Sequence, residues 1–295
     1  MIENTVILGT TPTSAWIFEK EFPGLRQVSI EPYNIRYSRI LPLWFKLLFD
    51  SPRILRVIKK EHEQLKAIIK TYQVDLIISD NRFGLYHDGI ESIYLSHQLS
   101  IKAGIWSGAA NRIHHHYIRR FSKVWVPDFD HTSQSLAGEL SVNPGLENVE
   151  YIGPLSRLDA KAKKQNTIDY LVLLSGVEPQ RSVLEERLLE AFRHTDKTLV
   201  FVRGSGQKTE IKSSKNILMV DLAGPDELSQ FIRDAETVIC RSGYSSLMDM
   251  HALQKKQLIL IPTPGQTEQE YLAGYWKKTF GAEVITQSRL RGWKP

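Results

Sequence analysis

A single cysteine, Cys240, stands in the 295 residues. That excludes an intramolecular disulfide and any zinc site built on paired thiolates. Residues 1–20 have no basic start followed by an apolar core, so no secretory signal is read there. Long apolar runs are missing too. The strongest, Ile40–Phe49, is interrupted by Pro42 and Lys46 and is too short to span a bilayer. No short repeat, heptad seam or low-complexity tract appears. Nothing resembles an RNA-binding aromatic signature, a zinc finger or a recognition helix, so no nucleic-acid partner is expected. No Asp-x-Asp pair falls at a promising strand end, and no metal or other cofactor is expected. These absences predict a cytoplasmic protein.

What remains is an ordinary soluble composition, 42% hydrophobic and 24% charged, with a net charge of +5. The charge is uneven. Between Arg36 and Lys70 nine Lys/Arg face three acids, and between Lys102 and Lys123 five Lys/Arg face none. The first basic stretch overlaps the Ile40–Phe49 run. One reading is a lip that rests peripherally on the inner membrane surface; the other is a helix pair packed on the first sheet.

Short β-rich runs alternate with helical ones, which argues for doubly wound parallel sheets. Strands are predicted at 6–8, 27–30, 75–78, 92–95, 123–126 and 149–152, then at 169–174, 198–202, 217–220, 237–240 and 257–261. Helices are predicted at 51–72, 181–194, 226–235 and 244–253. The continuous apolar Leu171–Leu174 and Ile259–Ile261 suit strands covered on both faces. The polar segment 153–166 divides the series. Two α/β domains follow, 1–155 and 156–295, facing a cleft.

The most informative stretch is 238–273, VICRSGYSSLMDMHALQKKQLILIPTPGQTEQEYLA. A strand enters Arg241-Ser242-Gly243 and then a helix. Gly243 permits close backbone approach, and the N–H groups of Tyr244, Ser245 and Ser246 would face a phosphate at the positive helix end. Asp249, one turn on, could accept both hydroxyls of a ribose. The plainer reading is a strand–turn–helix connection with serine as an ordinary N-cap. The loop after the next strand, PTPGQTEQ, offers Gln266, Glu268 and Gln269 at a strand C-terminal end, where open α/β sheets bind ligands.

The strings RSGYSSLMDM, IPTPGQTEQEYLA and LLSGVEPQR resemble the nucleotide-sugar-binding half of family 28 glycosyltransferases, which include the lipid-linked N-acetylglucosaminyltransferase of peptidoglycan synthesis. The strings ISDNRFGLY, SHQL, VWVPDF, YIGPLSR and FVRG are similar to those of a bacterial branch of predicted glycosyltransferases. The resemblance implies a GT-B fold of two Rossmann-like domains with the donor in the C-terminal one. It implies that Asp249 holds the donor ribose, where the peptidoglycan enzyme has the longer glutamate. Gln269 would meet the donor sugar hydroxyls. Ser242, Gly243, Ser245 and Ser246 would form the turn under the diphosphate, and Ser175 and Gly176 the glycine-rich turn after the domain's first strand. Arg203 could pair with phosphate, or be a surface ion pair.

The resemblance departs at the start. Family members open with a strand, a loop containing Gly-His and a helix; here Thr5–Gly9 looks like their second strand. The first β-α unit is therefore expected to be missing and the N-terminal domain truncated. Asp80 and His97, each after a strand, are the remaining candidate bases. Asp80 beside Arg82 is equally an ion pair, and His97 equally a packing residue. His114–His116 cannot converge on one ion, because successive helical residues point about 100° apart; they read as a solvated basic helix. Cys240, on an apolar strand, reads as a buried inert thiol.

The expected activity is hexosyl transfer from a nucleotide-sugar, a UDP-sugar, to an acceptor that is unknown and could be lipid-linked. Two alternatives stay open: a degenerate nucleotide-sugar-binding protein, and a sugar-nucleotide epimerase on the same fold.

Overall fold

The computed structural model describes residues 4–12, 14–33, 43–102, 104, 107–130, 134–159, 164–165, 167–176, 178–205 and 216–295, with backbone alone for 43–52. The chain divides into two compact units. The first is 1–126 with 143–151, and the second is 127–142 with 152–295.

In the first unit, β1 (Ile7–Thr10), α1 (Ala15–Glu21) and β2 (Arg26–Ser29) precede the 30-residue α2 (Leu43–Tyr72). β3 (Leu76–Asp80), β4 (Glu91–Leu95), α3 (Ser107–Ile118), β5 (Lys123–Val126) and β6 (Val149–Tyr151) follow. All paired strands are parallel. They form two separate sheets among the described residues, β1-β2 and β3-β4-β5-β6. The core packs Tyr94, Leu99, Ile118, Phe121, Val124 and Val126 around the larger sheet. α2 is tied to the chain beyond β3 by Glu61, which is fully buried. Its carboxylate accepts from Arg82, from Tyr33 Oη at 2.8 Å and from Gly84 N at 3.2 Å. Gly84 is obligatory there, since a Cβ would lie 2.4 Å from Ile58 O.

The helix predicted from Ser51 begins at Leu43, so the apolar 43–49 run continues into the basic stretch as one helix. The side chains that would form a lip lie outside the described residues. No described helix is long and apolar enough to cross a membrane.

The second unit holds β7 (Ile168–Leu173), α4 (Gln180–Ala191), β8 (Leu199–Val202), β9 (Ile217–Val220), α5 (Pro225–Asp234) and β10 (Ala235–Cys240). It continues through α6 (Tyr244–Ala252), β11 (Leu258–Leu260), α7 (Thr267–Phe280) and β12 (Glu283–Val284). Its sheet is continuous, parallel and ordered β12-β11-β10-β7-β8-β9. The alternation of apolar strand and amphipathic helix covers both faces, with Leu171, Val238, Leu247, Leu260 and Leu272 on one side and Val172, Leu184, Leu188, Phe201 and Ile239 on the other. β12, two residues long, escaped the sequence reading; so short a strand has no periodicity to detect.

The sequence pattern places 127–142 before the domain boundary at 155, whereas this excursion clusters with the second unit. The reason is Asp128, which is completely buried. Its carboxylate accepts from Phe129 N and Leu136 N at 2.8 Å, Ala137 N at 3.1 Å, Ser135 Oγ at 2.6 Å and Ser141 Oγ at 2.7 Å. The loop so folded presents carbonyls to the unit's helices. Trp276 Nε1 donates to Leu136 O, Tyr275 Oη to Ser135 O and Tyr244 Oη to Pro127 O, each at 2.8 Å.

Removing this carboxylate leaves several buried donors without an acceptor, at about 1–3 kcal/mol each. Asp128→Ala is expected to lower the unfolding free energy by at least ~3 kcal/mol in urea denaturation. A loss below ~1 kcal/mol would mean the loop is held by its apolar contacts instead.

Candidate active site

The strand order of the second unit defines its crevice. The chain runs outward from β7 through β8 to β9, then returns to lay β10 on the other side of β7 and runs outward through β11 to β12. The reversal lies between β7 and β10, and in such sheets the strand C-terminal ends at that point are where ligands sit. Ser175 and Gly176 follow β7, and Arg241, Ser242 and Gly243 follow β10. Topology thus brings these five predicted residues to one place. Ser175 is exposed, and Gly176 has φ +97°, a conformation that favours glycine.

α6 starts at this point with Gly243 as an extended N-cap residue, φ −73° and ψ 141°, and no side chain caps it. The ordinary serine-cap reading therefore fails. Ser242 is fully buried, and its hydroxyl donates to Gln269 O at 2.7 Å, across to α7. Gly243 has no side chain, so the N-cap residue itself supplies no acceptor to the first turn of α6, the condition under which a helix start receives an anion. Ser245 is exposed and Ser246 half-buried on that first turn.

Gln269 is positioned by its own carboxamide. Its Oε1 accepts from Thr263 N at 2.9 Å, which turns Nε2 toward Gly243, 4.0 Å from where a Cβ on that residue would stand. Gly243 keeps this space open. Gln266 is the N-cap residue of α7, with no side-chain cap bond. Asp249 is half-buried one turn into α6. Burial raises its carboxyl above the usual carboxylate range, opposed by Ser156 and Arg157. Ser156 Oγ donates to its Oδ1 at 2.7 Å.

Two predicted donor residues are engaged otherwise. Arg241 is 1% exposed. Its guanidinium donates to Ile261 O at 3.1 Å, Pro262 O at 3.2 Å, Gln180 O at 2.9 Å and Gln287 Oε1 at 2.7 Å. Burial pushes its pKa down to about 10. Arg203 lies between Glu185, which both its Nε and Nη2 meet, and Asp221, 2.9 Å from its Nη1. The hydrogen bond to Glu185 is the chief cause of its raised pKa. Arg181 extends the network to Glu178 and Glu185. Arg203 thus stands in a partly buried ion network, because Glu185 arrives on α4. Gly204 next to it has φ +60°, and a Cβ would meet Leu174 O at 2.8 Å, so the turns after β7 and β8 touch through backbone.

In the first unit, Arg82 pairs with Glu61, not with Asp80. Asp80 is exposed at the end of β3, yet the surrounding chain desolvates its carboxyl and raises its pKa; His97 opposes this by its charge. The two candidate bases, from β3 and from the turn after β4, therefore lie within electrostatic reach of one another. Cys240 is buried and its thiol is pushed up to about 12, chiefly by that burial. Among the described residues no cluster of His, Cys, Asp or Glu could hold a metal ion.

The histidine tract is not wholly solvated. His114 is buried on α3, with its ring edge-on to Phe83 at 5.5 Å and Nε2 2.9 Å from Gln98 O. Desolvation pushes its pKa down to about 4. The unfolded chain, with an ordinary histidine near 6.5, takes up this proton first as pH falls. The His114 contribution to stability is therefore complete above about pH 6.5 and is lost progressively down to about pH 4, by about 3 kcal/mol in all. Denaturation midpoints measured across that range are expected to show this slope in the wild type and a shallower one in His114→Gln.

Comparison with known proteins agrees with this geometry. Residues 171–294 match the model described as the glycosyltransferase family 28 C-terminal domain. No curated protein matches the chain. Among solved structures it is similar to CalG4, the calicheamicin glycosyltransferase, with TM-score 0.64, 12% identity, and coverage of 96% of this chain and 79% of that one. It is similar to the spinosyn rhamnosyltransferase SpnG complexed with thymidine diphosphate, with TM-score 0.63, 12% identity and coverage of 95% and 78%. It is also similar to Acinetobacter baumannii MurG, with TM-score 0.52, 13% identity and coverage of 95% and 77%. The chain has the GT-B fold of these structures, and the stretch of its second unit from 171 to 294 is similar to the family 28 C-terminal domain.

Proposed function

We propose that the protein transfers a hexosyl group from a nucleotide-sugar, a UDP-sugar, to an acceptor hydroxyl. The observation that carries this is the uncapped start of α6 at the reversal between β7 and β10, with Asp249 one turn further on. The N–H groups of Tyr244–Ser246 and the helix dipole would receive the diphosphate and stabilise it as it leaves. Backbone donors do this without a metal. Asp249 would accept from the ribose hydroxyls, with Ser156 giving up its place at Oδ1. Gln269, its Oε1 fixed by Thr263 N, would offer Nε2 to a sugar hydroxyl. Ser175 and Gly176 would line the crevice from β7, and Gln266 its loop side.

Asp80 would take the acceptor proton, since a raised carboxyl is a better base, and His97 would tune it. The family 28 domain at 171–294 and the thymidine diphosphate held by one neighbour support a nucleoside-diphosphate donor. The acceptor side carries the second reading, binding without turnover. Among the described residues the first unit's strands form two separate sheets, where the second unit's sheet is continuous. Peripheral membrane contact stays a proposal for the 43–72 helix.

Calorimetric titration with UDP, UDP-N-acetylglucosamine and ADP tests the donor site. UDP is expected to bind in preference to ADP, and Asp249→Ala to weaken it about ten- to a hundredfold, the loss of a charged hydrogen-bond acceptor. Binding of none of the three would overturn the reading. Binding with no transfer to any acceptor hydroxyl or water would favour the degenerate form.

A further inference from the structure

The sheet edge opposite the crevice, where β10 and β11 begin, holds a cavity of about 450 Å³. Its charged lining is Lys164, Arg233, Glu236, Lys255 and Lys256. Four cations thus face one carboxylate. Lysines near helix ends have an ordinary purpose, since α5 and α6 both finish here and each helix C-terminus carries about half a negative charge. Lys255 serves it in part, with Nζ donating to Ala235 O at the end of α5. Asp234, buried behind the cavity and held by Gln165 N at 2.7 Å and Gln230 Nε2 at 2.9 Å, adds one more negative charge. The lining of the cavity itself remains four cations to one carboxylate.

We propose that this cavity binds a phosphate-bearing anion of two or more charges, at a site separate from the nucleotide crevice. Its volume lies within the ordinary range for small-ligand sites, about 300–1,000 Å³. The excess charge is felt by the lysine that an anion would relieve. Lys255 is pushed down to about 8, first by burial and then by Lys164 and Arg233, with only Glu236 acting the other way. An anion entering between these groups would raise Lys255 again and draw in a proton. Lys164 and Lys256 are exposed and can close on the ligand from solvent.

Inorganic pyrophosphate is the probe, titrated calorimetrically into the full chain at pH 8 in two buffers of different protonation enthalpy. Binding is expected with uptake of up to about half a proton, from a group half-protonated at that pH. The variant Lys164→Gln/Lys256→Gln, which changes exposed side chains, should bind about five- to tenfold more weakly. Pyrophosphate seated in the nucleotide crevice would leave Lys255 without the added proton and would ignore both substitutions; that result overturns the proposal, as does an absence of binding. A second arm uses sedimentation with vesicles of phosphatidylcholine with and without phosphatidic acid. Pelleting that requires phosphatidic acid and is lost in the double variant assigns the phosphate to a lipid headgroup. Pyrophosphate binding without pelleting assigns it to a soluble ligand.

Discussion

The buried guanidinium of Arg241 is the interaction on which the second unit's crevice depends. One planar group reaches the two carbonyls that follow β11, the first residue of α4 and the Gln287 side chain. A charge taken wholly out of water is costly unless its donors are satisfied. Four acceptors from three segments take up its two terminal nitrogens, while Nε stays buried without one, and in doing so they fix the turns that surround the β10 end. Arg203 does the same on the β8 side, through Glu185 and Asp221. The strong cations at this edge are therefore held in contacts within the protein. Beside them stand the start of α6, the Asp249 carboxylate and the Gln269 carboxamide, whose Oε1 is fixed by Thr263 N. Preorganised dipoles of this kind need no rearrangement as charge develops on a leaving group, which is what makes them effective in catalysis.

This division between structural charge and presented dipole was only half legible in the sequence. The turn Arg241-Ser242-Gly243, the α6 start and the PTPGQTEQ loop were readable because strand, glycine and helix follow one another within a few residues. Local order dictates them. The partners of Arg241 and Arg203 are long-range: Gln287 lies 46 positions from Arg241, and Glu185 lies 18 from Arg203. Nothing in a strand-end arginine says whether a carboxylate will arrive from another element. The same blindness hid Ser242, whose hydroxyl serves α7 and not the helix it precedes.

The excursion at 127–142 shows the limit from another direction. Its sequence is polar and short of periodicity, so it reads as a loop belonging to whichever strand it follows. Its placement comes from one buried carboxylate that folds it and from three aromatic side chains, Tyr244, Tyr275 and Trp276, that grip its carbonyls. His114 was misjudged for a related reason. A run of three histidines looks hydrophilic, yet on α3 only one of the three directions faces Phe83 and the Gln98 carbonyl.

The two units differ most in how completely each sheet is built, and this bears on what each can contribute. In the second, β7 joins the outward series on both sides, so a single strand carries the reversal that makes a crevice. In the first, β1-β2 and β3-β4-β5-β6 each stop short of the other, and no described strand performs that task. Leu76 and Ile78, on one face of β3, stay about half exposed, at 45% and 50%. A backbone-defined crevice forms where the strand order of a sheet reverses. The second unit's sheet has such a point between β7 and β10, and the first unit's sheets have none among the described residues. What the first unit places at its strand ends is side chains: Asp80 at the end of β3 and His97 in the turn after β4.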